Sequence, residues 1–303
     1  MTNEERSKVI GGSEIAAVMG LSRWKTPLAL WAEKTGEIPQ EDISDREYVQ
    51  LGTELEDFVA KKFERITGKK VRRDTRTFTY SSEYPYMVAH IDRRIQGTDE
   101  LLECKTCSAW KEKEWEGEEI PVEYILQVMW YLGILGMKKG YIAVLIGGQK
   151  FVWKELEFDK ELFDRMVINA KNFMQAVQGK QPPIAMAGDK ETLGKLYKGT
   201  EGGQLELEEA AMKSIDQDLE ERDALKRTIE SAEQRIEEIE NRIKQEMGEN
   251  DLAMTEKYKI TWKSQISRRL DTEKVKAAGI YDEYCKETVA RVFRVNANKG
   301  GKK

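Results

Sequence analysis

Residues 90–107 read HIDRRIQGTDELLECKTC. Two strand-like runs flank Gln96-Gly97-Thr98-Asp99, a turn signal that predicts a β-hairpin. Glu103 and Lys105 are two residues apart, so in a strand both side chains leave by the same face. A turn centred on residues 97–98 sets Asp92 across from Glu103. Two carboxylates and a lysine on one face, beside a core strand, are costly unless a cation neutralises them. Magnesium suits such a set, because it takes hard oxygen ligands and keeps several of its waters. The lysine is then placed to position or deprotonate an attacking water, or to balance charge on a phosphate. An exposed strand face decorated with charge has the same spacing, and D-x10-E-x-K alone leaves both readings open.

Upstream of the hairpin the sequence predicts three helices. Ser13 sits where an N-cap belongs, after Gly11-Gly12 and before EIAAVMG. Thr26-Pro27 opens the second, with Pro27 at its first position. Asp45 caps the third, DREYVQLGTELEDFVAKKFERITG, with Leu51, Leu55, Phe58, Val59, Phe63 and Ile66 on one apolar face. Strands are expected in VRRDTRTFTY and PYMVAHIDRRI. Downstream, the helix VEYILQVMWYLGILG leads into a second hairpin, GYIAVLI and KFVWKELEF, and then the amphipathic helix KELFDRMVINAKNFMQAV. The order αααβββαββα describes an α+β domain around a mixed sheet. Glu56 falls in the third helix. Gln127 is a polar residue among Leu126, Val128 and Met129, and a buried polar group has to find a partner. Solvation of Glu56, and a bond from Gln127 to a neighbouring loop, are the plainer alternatives.

The 303 residues are 40% apolar, enough for a real core, but 35% charged, well above the usual quarter. That excess predicts long solvated helices. The mixed domain occupies 1–185, a Gly- and Lys-rich linker 186–204, a long helix or coiled coil 205–249, and a small segment with a strand in KYKITWKS and a flexible Lys-Gly tail 250–303. Ile229, Ala232, Ile236, Ile239, Ile243 and Met247 make the helical seam; a single helix packed on its own domain fits equally well. Three cysteines make no disulfide framework and point to a reducing cytoplasm. No apolar run reaches the ~18 residues of a membrane span, and MTNEERSKVI is not read as a signal peptide. One histidine, His90, excludes histidine-rich metal sites and argues against a Ser-His-Asp hydrolase. A net charge of −5 argues against a generally basic nucleic-acid coat. Any DNA contact has to be local: residues 61–76 carry eight Lys or Arg, Arg72 and Arg73 among them, against two Asp or Glu. A solubilising helix end and edge strand would carry the same charges. Trp31 is read as core, and Trp24 as core or as a wedge between bases.

The runs IGGSEIAAVMGLSRWKTPLALWAEKTGEIP and LGTELEDFVAKKFERITGKKV, then HID, LLECKTC and LQVMWYLGILG, resemble the YqaJ viral recombinase family. Its members are lambda-exonuclease-like PD-(D/E)XK nucleases, and the resemblance spans residues 6 to about 160. It implies a restriction-endonuclease-like core, a mixed central sheet flanked by helices. It implies Asp92, Glu103, Lys105, Glu56 and Gln127 as the catalytic set, with Asp92, Glu103 and the Cys104 carbonyl as metal ligands. Ser13 and Arg6 match residues that bind a 5′-phosphate. The implied activity is 5′-to-3′ exonuclease digestion of linear duplex DNA with Mg2+, for which Mn2+ substitutes. The product, a 3′ single strand, would serve a phage-type annealing recombinase. A ring-shaped homotrimer, no membrane, and the cytoplasm of a bacterial host of phage or prophage DNA follow from the same likeness. Where the family often has glycine after the aspartate, this chain has Arg93-Arg94, read as DNA-backbone contacts or a solvated edge. Two other readings stand beside it: a non-catalytic DNA-end or recombinase-binding module, and a structure-specific endonuclease on the same fold. The complete Asp92/Glu103/Lys105 set argues against the first, and Ser13 with its glycines against the second.

Overall fold

The computed structural model describes residues 3–199, 203–286 and 291–296, and the chain divides into two units, Met1–Lys198 and Gly199–Lys303. The first unit opens with α1 (Asn3–Ser7), α2 (Gly12–Val18), α3 (Pro27–Thr35) and α4 (Glu47–Thr67). Local chemistry sets these starts. Thr26 Oγ1 accepts the Ala29 N–H at 3.0 Å, and Pro27 takes the position where an N–H is not needed. Two expected caps differ. The N-cap of α2 is Gly11, whose N–H donates to the Glu14 carboxylate at 3.2 Å, so Ser13 is the second helical residue rather than the cap. In α4 the cap is Arg46 rather than Asp45, and its side chain caps no backbone N–H of the helix.

Five strands form the central sheet: β1 (Val71–Arg73), then, past a separate pair β2 (Phe78–Thr79) and β3 (Val88–Ala89), β4 (Arg93–Ile95) and β5 (Glu100–Cys107). α5 (Val122–Leu135) crosses over to β6 (Lys139–Ile146), which turns through Gly147-Gly148 into β7 (Lys150–Glu157) and α6 (Lys160–Gln178). The order is β1-β4-β5-β6-β7; β5 and β6 are parallel and the other neighbours antiparallel. This is the mixed sheet flanked by helices that the sequence predicts. The two runs read as single strands, VRRDTRTFTY and PYMVAHIDRRI, each break in two. Asp74 turns the chain after β1 by accepting from the Arg76 backbone and guanidinium, with Arg76 Nε at 2.8 Å. β3 pairs with β2 instead of the sheet, and its Val88 carbonyl accepts the Trp130 indole N–H of α5 at 2.9 Å.

Each sheet face has its own core. Val59, Ala60 and Phe63 of α4 cover Leu102, Cys104, Tyr141 and Ala143. The opposite face packs Leu101, Ile142 and Val144 under α2, α3, α5 and α6, with Trp31 and Trp130 among the buried residues. The wide apolar face expected of α4 is narrower: Leu51, Phe58 and Ile66 are about half exposed, since a 21-residue helix over short strands buries only its middle turns. Within the segment read as a linker, α7 (Lys190–Leu196) forms. Asp189 ahead of it is buried, accepting from the Thr26 hydroxyl and from the Met186 N–H at 2.8 Å.

The second unit holds α8 (Glu209–Met247), an antiparallel pair β8 (Leu252–Met254) and β9 (Lys259–Thr261), and α9 (Thr272–Ala277). β9 is the strand expected in KYKITWKS. The flexible end expected of the last residues lies outside the described ones. Among those described, no helix is long and apolar enough to cross a membrane.

Candidate active site

β5 is the middle strand of five, and its alternation divides its side chains between the two faces. Leu102 and Cys104 go under α4, while Leu101, Glu103 and Lys105 go toward α5. Glu103 is 2% exposed. Its Oε1 accepts from Lys105 Nζ at 2.7 Å and from Gln127 Nε2 at 2.7 Å. Its Oε2 is buried and has no hydrogen-bond partner among the described residues. Asp92, just ahead of β4, continues the register in which Arg93 faces Leu102, so it stands opposite Glu103. It is not within a strand, and its Oδ2 accepts the Cys104 N–H at 2.7 Å, which holds the carboxylate beside β5. Burial, then the charge of Glu103, pushes the Asp92 carboxyl well above the usual carboxylate range, against Lys105 and the Cys104 N–H. Burial opposes the Lys105 ammonium, but Glu103 and Asp92 outweigh it and raise its pKa. The Lys105 ammonium also stands 5.3 Å from the Tyr124 ring centre. Buried Cys104 turns its thiol away from this face, and burial raises its pKa well above the usual value.

Gln127 lies in the middle of α5, 6% exposed. Its amide nitrogen also donates to the Tyr131 hydroxyl at 3.0 Å. Tyr131 in turn packs on Gly12, where a Cβ would sit 2.4 Å from the ring. The glycine therefore lets α2 approach the Tyr131 ring.

Glu56 is held by Arg93, near enough to Asp92 that its charge helps to raise that carboxyl. The Arg93 guanidinium, 3% exposed, pairs with Glu56 and Asp57 of α4 and donates to the Asp92 carbonyl at 2.7 Å. Arg94 pairs with Asp99 at 2.9 Å and with Asp74 at 3.5 Å. Neither arginine is the open DNA contact or solvated edge that the sequence suggested. Arg93 is a structural residue that sequence reasoning missed. Alternation puts it on the face of Ile95, but the two acids that it meets come from α4.

Ser13 and Arg6, both exposed, line one cavity of about 520 Å³ with Trp24, Lys25 and His90. Lys34, also missed, fixes that wall. Its buried ammonium donates to the Arg6 and Val9 carbonyls at 2.9 and 2.6 Å and to both Glu14 oxygens at 3.0 Å. Arg72 and Arg73 are exposed on β1, an edge strand, in no ion pair among the described residues.

Residues 3–138 match the YqaJ-like viral recombinase domain. A curated relative from Bacillus subtilis (strain 168), "Uncharacterized protein YqaJ", is 43% identical over 300 residues, 96% of this chain and 92% of the relative. The chain belongs to the YqaJ family. Among solved structures, an alkaline exonuclease from Laribacter hongkongensis (LHK-Exo), in complex with dAMP, has 19% identity and a TM-score of 0.50, over 59% of this chain and 92% of that one. Another crystal structure of that enzyme has 17% identity and a TM-score of 0.49, over 59% and 94%. The first of these likenesses shows that this YqaJ-family chain shares the exonuclease's fold. Among the described residues no three His, Cys, Asp or Glu side chains form a cage for a metal. The donors that do fit one are Asp92, the unpartnered Glu103 Oε2 and the Cys104 carbonyl, an all-oxygen set that leaves further positions to water or phosphate, as magnesium prefers.

Proposed function

We propose that the chain is a magnesium-dependent exonuclease that degrades one strand of linear duplex DNA from its 5′ end, with manganese able to substitute. One observation carries the reading: a buried carboxylate, Glu103, held on one oxygen by Lys105 and Gln127 and bare on the other, beside Asp92. Native structures keep such a buried unmet group where chemistry needs it. Asp92, Glu103 and the Cys104 carbonyl would hold a divalent cation, which would supply the Lewis acidity that phosphodiester hydrolysis needs. Lys105 orients the attacking water and balances charge on the phosphate as the P–O bond breaks. Gln127 fixes the plane of the Glu103 carboxylate, and Glu56 reaches the site through Arg93. Ser13 and Arg6 supply a hydroxyl and a guanidinium for a terminal 5′-phosphate, and Arg72 and Arg73 hold the duplex backbone.

The reading extends to a 3′ single-strand product handed to an annealing recombinase, a ring of three chains around DNA, and work in the cytoplasm of a bacterium carrying phage or prophage DNA. The test is digestion of linear and covalently closed circular duplex with magnesium and with chelator, on 5′-phosphate and 5′-hydroxyl ends. Loss of linear, 5′-phosphorylated DNA in magnesium alone is the expected result. Cutting of closed circles would make the chain an endonuclease, and cutting of neither would make it a binding module. Equal rates on both ends would remove the role given to Ser13 and Arg6.

A further inference from the structure

α8 runs 39 residues and buries one side chain, Met247. Its apolar residues are not scattered. Leu225, Ile229, Ala232, Ile236, Ile239 and Ile243 follow a 4-3-4-3-4 spacing, and Leu225, Ile229 and Ile236 are 57%, 57% and 55% exposed. As a heptad, Ile229, Ile236 and Ile243 are a positions and Leu225, Ala232 and Ile239 are d positions. Arg222, one heptad before Ile229, ends the seam, its guanidinium 6.0 Å from the Phe293 ring centre. Met247 stands at an e position and lines a groove with Ala253 and Ile260 of the β8–β9 pair. The helix carries an open stripe about 28 Å long from Leu225 to Ile243.

We propose that this stripe is closed by the same helix of another copy of the chain, parallel and in register. The flanking charges select that occupant. Glu221, Thr228 and Arg235 are g positions; Lys226, Glu233 and Glu240 are e positions. In a parallel coil each g residue faces the e residue five places on in the other copy. Glu221 then meets Lys226, Arg235 meets Glu240, and Thr228 meets Glu233, with no like charges opposed. Antiparallel pairing centred on the same heptads sets e against e and g against g, so Glu233 faces Glu233 and Arg235 faces Arg235. The present partners do not compete strongly. Arg235–Glu238 at 2.6 Å and Lys244–Glu240 at 3.3 Å are ion pairs within one exposed helix, worth little each. The inference stands apart from the nuclease reading, since it uses no residue of that site.

The experiment uses the full chain with the exposed Cys285 changed to Ser. Ile236→Cys places a thiol at an a position, where identical residues of parallel helices come within disulfide reach, about 6 Å between Cα atoms. Gln234→Cys, on the outer face, is the control. Under mild oxidation the first should give a covalent dimer on a non-reducing gel and the second should not. In light scattering at micromolar concentration the unaltered chain should have the mass of two or three copies. Arg235→Glu should weaken the assembly roughly tenfold, and Arg235→Glu with Glu240→Arg should restore it. A single-copy mass, no Ile236→Cys crosslink, or a double variant no better than the single one would overturn the proposal.

Discussion

Glu103 holds two donors on one oxygen and none on the other. An unmet buried acceptor costs about 1–3 kcal/mol, so the site is less stable than its shape allows. Glu103→Gln keeps the shape and removes the charge. The expected result is at least about a 100-fold loss of turnover on linear duplex with DNA binding kept, and a melting temperature that holds or rises. Lys105→Ala should lose as much activity but melt lower, because it leaves Glu103 and Asp92 facing each other without their ammonium. Kinetics beside thermal melts separates the two cases. Asp74 offers a test by pH. Its hydrogen bonds from Arg76 outweigh burial and hold its carboxyl at about 2. A depressed carboxyl contributes stability that is complete above the unfolded value near 3.9 and is lost as pH falls through 2. Asp74→Asn should therefore lower the melting temperature at pH 7, and the gap from the parent should close between about pH 4 and pH 2.

Between elements, the contact to test is α2 against α5. By helix propensity alone Gly12→Ala should gain up to ~1 kcal/mol. The added Cβ would meet Tyr131 Cε1 at 2.4 Å, and overpacking of that kind costs about 1–3 kcal/mol. Packing should win: a lower melting temperature is expected, with slower cleavage, because Tyr131 orients the amide that holds Glu103. Contacts of this sort mark where the sequence stopped being legible. The Asp92–Glu103 opposition, the helix that becomes α5 and the long polar helix could all be read, because each rests on a period of 2, 3.5 or 3.6 along one segment. Arg93 could not, since its burial depends on Glu56 and Asp57 from a helix some 36 residues away in the chain. Of the two broken strands, the first turns at Asp74 through Arg76, two residues on, and the second carries Val88, bound by Trp130 from outside the strand pattern.

For the molecule as a whole, the surface matters more than the core. Arg72→Glu with Arg73→Glu should weaken duplex binding and flatten its salt dependence by about two units of log–log slope, read by titration at several ionic strengths. An unchanged slope would mean that DNA does not cross β1. The choice of glutamate has a reason beyond charge. β1 is the outer strand of the five and is three residues long. Charged side chains on such a strand keep it from recruiting a strand from a neighbouring molecule. Valine or threonine at both positions would remove the proposed DNA contact and invite stacking in the same step, and the precipitate would pass for a binding defect. The two arginines thus guard against self-adhesion whether or not DNA crosses β1, and a library that selects neutral replacements for weaker binding will also be selecting for aggregation.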